Sequence, residues 1–170
     1  MLSLTANDIM TRDVVTIRKG SSIEEALKKM ANNNVSGLPV IDPDGCLEGI
    51  ITESDLLLKG QIVPSDAYAN RNAIFASHAD GVDEAYRRAQ STLVEEAMTK
   101  KVLTFTEESL VVDIARAMIE HAVNRFPIVR NCKVIGIVSR KDIISALAKE
   151  TTAMRGSTGN QHGGGQMIEL

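Results

Sequence analysis

Shifted by 88 positions, the sequence falls onto itself. Met10-Thr11 meets Met98-Thr99, Val14 meets Val102, Thr16 meets Thr104, Ser21 meets Ser109, Met30 meets Met118, Val35 meets Val123 and Pro39 meets Pro127. After the turns Asp42-Pro-Asp-Gly45 and Arg130-Asn131 the offset becomes 87, and Gly49 meets Gly136, Ile50 meets Ile137, Thr52 meets Ser139 and Asp55 meets Asp142. A one-residue change of register costs least in a solvated hairpin turn, where the flanking strands keep their pairing. The chain is therefore a tandem repeat, and its fold is one small unit built twice.

Within each unit the hydrophobic period changes in a fixed order. Val14-Val-Thr-Ile17 and Val102-Leu-Thr-Phe105 read as short strands. A helix follows, with Ser21 and Ser109 as expected N-caps and Glu24 in capping-box position. Ile23, Ala26, Leu27 and Met30, and then Val111, Ile114, Ala115 and Met118, recur at helical spacing. Two apolar runs around a turn come next, Leu38 to Ile41 then Cys46 to Thr52, and Phe126 to Val129 then Lys133 to Ser139. They predict a hairpin, marked in the first copy by Asp44-Gly45. A second helix begins at Thr52 or Ser139. Strand, helix, strand, strand, helix is too little to bury both faces of its own sheet, so an α/β fold with the two copies packed on each other is expected.

These readings divide the chain into a first repeat (1–60), a helical connector (61–93), a second repeat (94–150) and a disordered tail (151–170). In the connector, Ala85, Ala89, Leu93 and Ala97 predict one helix running into the second repeat. The tail is rich in Gly, Thr and Ser and includes Gly163-Gly-Gly165.

Apolar content of 44%, charged content of 24% and a formal charge of -3 describe an ordinary globular chain, and the acidic balance argues against nucleic-acid binding. No run approaches the roughly 18 apolar residues of a membrane helix, and the N-terminus lacks signal-peptide order, so a cytoplasmic protein with no membrane partner is expected. Cys46 and Cys132 stand in predicted turns with no Cys-x-x-Cys spacing, which reads as two free thiols in a reducing compartment. His78 and His121 have no nucleophile at motif spacing and no catalytic signature is present, so an enzyme is not expected.

Candidate chemistry lies in the repeated phrase Gly49-Ile-Ile-Thr-Glu-Ser-Asp55 and Gly136-Ile-Val-Ser-Arg-Lys-Asp142. Thr52 with Asp55, and Ser139 with Asp142, have capping-box spacing, which by itself requires no ligand. Yet a strand entering a helix N-terminus also offers N–H groups and positive potential to a phosphate. A carboxylate there suits the vicinal hydroxyls of ribose. Arg140 and Lys141 add cationic donors to the second copy, where the first has Glu53 and Ser54, so the second copy is expected to suit an anion better.

Met-Thr, short strand, Ser-capped helix, apolar-Pro strand and Gly-x-x-(Thr/Ser)-x-x-Asp, in that order and twice, resemble paired cystathionine-β-synthase (CBS) domains over about residues 7 to 59 and 94 to 149. The resemblance implies two repeats related by a pseudo-twofold axis, a homodimer shaped as a flat disc, and a regulatory role without a required cofactor. It implies AMP, ADP, ATP or S-adenosylmethionine in clefts between the repeats, with the aspartate on ribose. Carried over, one cleft would use Thr52 and Asp55 with Thr99, Leu103, Asn124 and Arg125. The other would use Ser139, Arg140, Lys141 and Asp142 with Thr11, Val15, Ser36, Gly37, Leu38 and Pro39. Arg125, standing where the first repeat has Gly37, would supply the phosphate contact that Glu53 cannot.

The function expected is thus a sensor whose ligand shifts the balance between arrangements of the module and so acts on an unknown downstream effector protein. The alternative is a structural dimerisation module with empty clefts, in which Asp55 and Asp142 only cap helices.

Overall fold

The computed structural model describes residues 4–58, 87 and 90–157. In chain order the elements are α1 (Ala6–Ile9), β1 (Ile17–Arg18), α2 (Ile23–Asn33), β2 (Gly37–Ile41), β3 (Leu47–Thr52), α3 (Glu53–Leu58), α4 (Val94–Ala97), α5 (Val111–Glu120), β4 (Arg125–Arg130), β5 (Lys133–Ser139) and α6 (Arg140–Ser157). Both repeats show the expected α/β order. In the first, β1 pairs parallel to β2 with Ile17 opposite Val40, and β2 pairs antiparallel to β3. In the second, β4 and β5 form the hairpin, and Phe105 makes a single parallel bridge to Ile128. Phe105 and Ile128 are the repeat counterparts of Ile17 and Val40, so the two sheets have one plan.

The repeats are joined by exchange of their leading segments. Thr11 and Ile137 trade both backbone hydrogen bonds, at 2.9 Å each, and Thr99 and Ile50 do the same at 2.9 and 3.0 Å. Each Met-Thr pair therefore extends the other repeat's hairpin. The apolar side chains follow. Val94, Ala97 and Met98 are buried with Ile17, Ile23, Met30, Leu38 and Ile51 in one core, while Ala6 and Met10 are buried with Val111, Ile114, Phe126, Ile128 and Val138 in the other. An apolar group buried in this way contributes about 25 cal/mol per Å² removed from water, so each repeat draws stability from residues of its partner repeat.

This exchange explains several departures from the sequence reading. The N-cap of α2 is Ser22, whose Oγ accepts from the Glu25 N–H at 3.2 Å, and the N-cap of α5 is Leu110. Ser21 and Ser109 are displaced from capping because their carbonyls accept from the Val94 and Ala6 N–H groups of the other repeat, at 2.9 and 2.8 Å. In return the first N–H groups of α2 and α5, on Ile23 and Val111, donate to Thr92 and Leu4. The predicted strands at Val14 and Val102 shrink to Ile17–Arg18 and to the Phe105 bridge.

The predicted helix through Leu93 is also interrupted. Arg87, Gln90 and Ser91 are helical, but Leu93 is extended (φ -86°, ψ 150°), bridges Ser22 and starts α4 afresh; Ala85 and Ala89 lie outside the described residues. Most of the connector lies outside them too. Helix α6 continues to Ser157, past the expected start of the tail, because no glycine precedes Gly156 to stop it.

The cysteines correct a further expectation. The Leu47 N–H donates to the Cys132 carbonyl at 2.9 Å and Cys46 bridges Lys133, which brings the two hairpin turns together. Cys46 and Cys132, with Cα atoms 4.8 Å apart, form a disulfide instead of standing as free thiols. Each stands in the turn of its own repeat, and the symmetry of the repeats makes them neighbours.

Candidate functional site

Each repeated phrase turns a strand into a helix. At the end of β3 the Thr52 N–H and hydroxyl donate to Asp55 Oδ2 at 2.9 and 2.7 Å, and the Asp55 N–H donates back to Thr52 Oγ1 at 3.3 Å. At the end of β5, Ser139 and Asp142 make the same three bonds at 2.7, 2.5 and 3.4 Å. Both are capping boxes, with the acid three residues into the helix. The cap uses Oδ2 in each copy.

What separates the copies is the company of the other carboxylate oxygen. Asp55 is buried at 8% exposure, and its Oδ1 accepts from the Thr99 hydroxyl of the other repeat at 3.4 Å. Thr99 is brought there by its backbone pairing with Ile50 and by the absence of a side chain at Gly49, where a Cβ would lie 2.8 Å from the Thr99 carbonyl oxygen. Arg125, at the head of β4, is half-buried and donates to Ser36 Oγ. A Cβ at Gly37 would lie 2.9 Å from its Nη1, so glycine leaves the guanidinium its path. Burial pushes the Arg125 pKa down from its ordinary value and nearby Glu53 opposes this. A guanidinium still keeps its charge at neutral pH.

Thr52, Asp55, Thr99, Asn124 and Arg125 line one cleft of about 300 Å³, shared with Ser36, Ile50, Glu53, Ser54, Ala122 and Val123. Of the residues expected there, Leu103 is not among the lining and stands 45% exposed. Ser36, expected in the other cleft, is found in this one. Its carbonyl accepts from the Glu53 N–H at 3.2 Å and its hydroxyl from Arg125, so it belongs beside Thr52.

The second set is less gathered. Arg140 and Lys141 are exposed in the first turn of α6, and the Arg140 N–H donates to the Asn124 carbonyl at 3.0 Å. Thr11 is exposed beside Ile137, and Val15 packs half-buried against the first core. Gly37, Leu38 and Pro39 are buried in β2, with Leu38 wholly inside the core, because β2 is the central strand of its sheet. Asp142 lines a separate hollow of about 280 Å³ with Leu4, Asp8, Ile9, Ser145, Ala146 and Lys149. Among the described residues no group of three or more His, Cys, Asp or Glu could hold a metal ion, and no helix is long and apolar enough to cross a membrane.

Fold and cleft together define a paired-repeat α/β module with polar sites along the seam between its repeats. The chain belongs to the CBS domain family: the family model, described as CBS domain, matches residues 6–60 and 94–149. It is 30% identical over 151 residues to the uncharacterized protein YlbB of Bacillus subtilis, covering 88% of this chain and 85% of YlbB. Other relatives are longer, and the chain spans 46% of one of them. Among solved structures it is similar to the CBS domain of a CBS domain containing membrane protein from Sphaerobacter thermophilus. That match has a TM-score of 0.70 and 31% identity and covers 85% of this chain and 88% of that one. It is also similar to the CBS domain pair of protein MJ0100 in complex with 5'-methylthioadenosine and S-adenosyl-L-methionine. Here the TM-score is 0.64 and the identity 26%, covering 86% of this chain and 98% of the other.

Proposed function

We propose that this chain is a regulatory sensor that takes an adenosine compound into the cleft between Thr52-Glu-Ser-Asp55 and Arg125. The meeting of Asp55, Thr99 and Arg125 around one cleft of about 300 Å³ carries this reading. That volume is at the lower end of the range for small-molecule sites, about 300–1,000 Å³. Asp55 Oδ1 and Thr99 Oγ1 stand as a pair of polar atoms from opposite repeats, suited to vicinal ribose hydroxyls. Arg125 supplies a planar cation for a phosphate or carboxylate. The MJ0100 pair, solved with two adenosine compounds, supports the ligand class.

Charge orders the four candidates. Glu53 and Asp55 face one guanidinium across the cleft, so S-adenosylmethionine, with its net positive charge, and AMP, the least negative of the nucleotides, are favoured over ADP and ATP. Binding at a seam between repeats acts through differential affinity for two arrangements of the module or of its homodimer, and the effector protein reads the change. No cofactor or catalytic step is required.

Calorimetric titration of AMP, ADP, ATP and S-adenosylmethionine tests this. At least one is expected to bind well below millimolar, and Arg125→Gln is expected to weaken it tenfold or more while leaving adenosine unaffected. Failure of all four to bind tighter than about millimolar, roughly -4 kcal/mol, overturns the sensor reading. Binding that survives Asp55→Asn and is lost in Asp142→Asn moves the site to Ser139-Arg-Lys-Asp142.

One observation favours a second reading, a dimerisation module without nucleotide. Ile119 on α5 and Ile144 on α6 are 79% and 66% exposed, apolar area that a second copy would cover. Sedimentation of wild type against Ile119→Glu/Ile144→Glu, with and without nucleotide, separates the readings: a ligand-independent dimer with empty clefts supports this one.

A further inference from the structure

Cys46 and Cys132 are 86 residues apart in sequence and lie one in each repeat, so a bond between them ties together parts that otherwise meet by packing and hydrogen bonds alone. Several features of their surroundings bear on what that bond is for. The Cα separation of 4.8 Å lies inside the usual disulfide range of about 4.4–6.8 Å, and the backbone is already held there by the Leu47 N–H to Cys132 carbonyl bond. The two turns are thus held within bonding reach by the backbone.

Cys132 also occupies a costly position. It follows Asn131 in the two-residue turn between Arg130 and Lys133, and both residues have positive φ, 49° for Asn131 and 65° for Cys132. Asn-Gly is the favoured pair for such a turn, because glycine takes the second positive φ without a Cβ clash. Here a cysteine takes it. The turn gives up backbone comfort for a side chain aimed at the other repeat, whereas in the first repeat Gly45 absorbs the positive φ of 85° and Cys46 follows it.

Cys132 is exposed and Cys46 is partly exposed, so small thiols reach the bond. Cys132 lines a cavity of about 190 Å³ with Lys100 and Glu48, and Glu48 is paired with Lys19 at 3.1 Å. Lys133 follows Cys132 directly. The thiolate is the form that exchanges.

We propose that Cys46 and Cys132 are a reversible redox pair that, when oxidised, staples the hairpin turns of the two repeats and stiffens the seam between them. The oxidant is a low-molecular-weight disulfide such as oxidised glutathione. The Cys132 thiolate attacks one of its sulfurs, forms a mixed disulfide and releases one glutathione thiolate. The Cys46 thiolate then attacks the Cys132 sulfur and releases the second. Two protein thiols become one disulfide, one glutathione disulfide becomes two thiols, and reduction runs the same steps backward.

The consequence reaches the cleft along the strands. Cys46 leads into β3, which ends at Thr52, and Cys132 leads into β5, which ends at Ser139. Both phrases thus sit at the far ends of strands whose near ends the staple joins. Coupling to ligand rests on the sensor reading above; the redox pair and the stiffening do not.

The full chain is equilibrated in glutathione buffers running from fully oxidised to a large excess of the reduced form, then alkylated and weighed. Conversion between no alkylated thiols and two within that range is expected. A chain that keeps its disulfide at every ratio, or never forms it, overturns the proposal. Hydrogen exchange then compares the oxidised form with the reduced form and with Cys46→Ser/Cys132→Ser. Amides of Leu47, Ile50, Thr52 and Thr99 are expected to exchange several-fold slower only when oxidised. Equal protection in all three forms overturns the stiffening. Calorimetry with S-adenosylmethionine and AMP on both redox forms keeps the two readings apart: absence of binding in either form counts against the sensor, while the redox titration stands on its own.

Discussion

Gly49 and Met98, like Gly136 and Met10, are two halves of one contact. A Cβ at Gly49 would lie 2.6 Å from the Met98 sulfur and 2.8 Å from the Thr99 carbonyl oxygen, whereas at Gly136 its three nearest neighbours would all be side-chain atoms of Met10. Side chains bend away more cheaply than backbone does. Gly49→Ala is therefore expected to cost more than Gly136→Ala, with overpacking in the range of about 1–3 kcal/mol, as read from urea unfolding. Met10→Ala in the Gly136→Ala background should cost less than Met10→Ala alone, because the added methyl fills the space vacated; additive losses would remove the contact as the cause. Each of these residues stands out in the sequence as a repeated position. That the glycine of one repeat receives the methionine of the other does not, since the pairing links positions of different repeats and carries no local signal. Ser36 shows the same limit: its carbonyl and hydroxyl partners, Glu53 and Arg125, come from different parts of the chain.

Among the elements, the long periodic ones were legible and the short ones were not. Helices α2 and α5 bury Ile23, Ala26 and Met30, and Val111, Ile114 and Met118, as their spacing predicts, while Leu27 and Ala115 are only partly buried and Ala117 is buried in addition. Helices α1 and α4 have four residues each, too few to show an amphipathic period, yet they decide which core is which. The acid at the third helical position explains how so short a helix holds. The Thr5 N–H donates to Asp8 Oδ2 at 2.8 Å, and the Leu93 N–H donates to Glu96 Oε1 at 2.9 Å. A division of the chain into repeats by sequence thus differs from its division into cores. Met10→Ala should cost about 2–5 kcal/mol and speed hydrogen exchange most in α5, whereas Met98→Ala should act most on α2. Loosening confined to the mutated residue's own repeat would contradict the exchanged cores.

At the scale of the whole molecule, three carboxylates titrate together in acid, one of them across the seam. The Gly20 N–H, at 2.9 Å, holds the Glu95 carboxyl below its ordinary range and so ties the segment leading α4 to the turn before α2. Arg130 lowers the pKa of Glu107, and the Thr5 N–H and hydroxyl lower that of Asp8. For all three the folded state binds its proton less readily than the unfolded chain. Their contribution is present above the unfolded carboxylate values, about 4, and disappears as pH falls through the lower folded values. The partner cations behave oppositely: Lys19 and Arg130 are raised by Glu48 and Glu107, so their contribution persists through neutral pH and fades only in alkali. Arg130 is exposed and Glu107 only partly so, and their part of the effect should weaken with salt. The melting temperature is therefore expected to fall as pH drops below about 4. Glu95→Gln should melt below wild type at pH 7 and approach it in acid, because the variant has already lost the charged acceptor that acid removes from wild type. Parallel curves over that range would mean that the Glu95 contact with Gly20 contributes nothing across the seam.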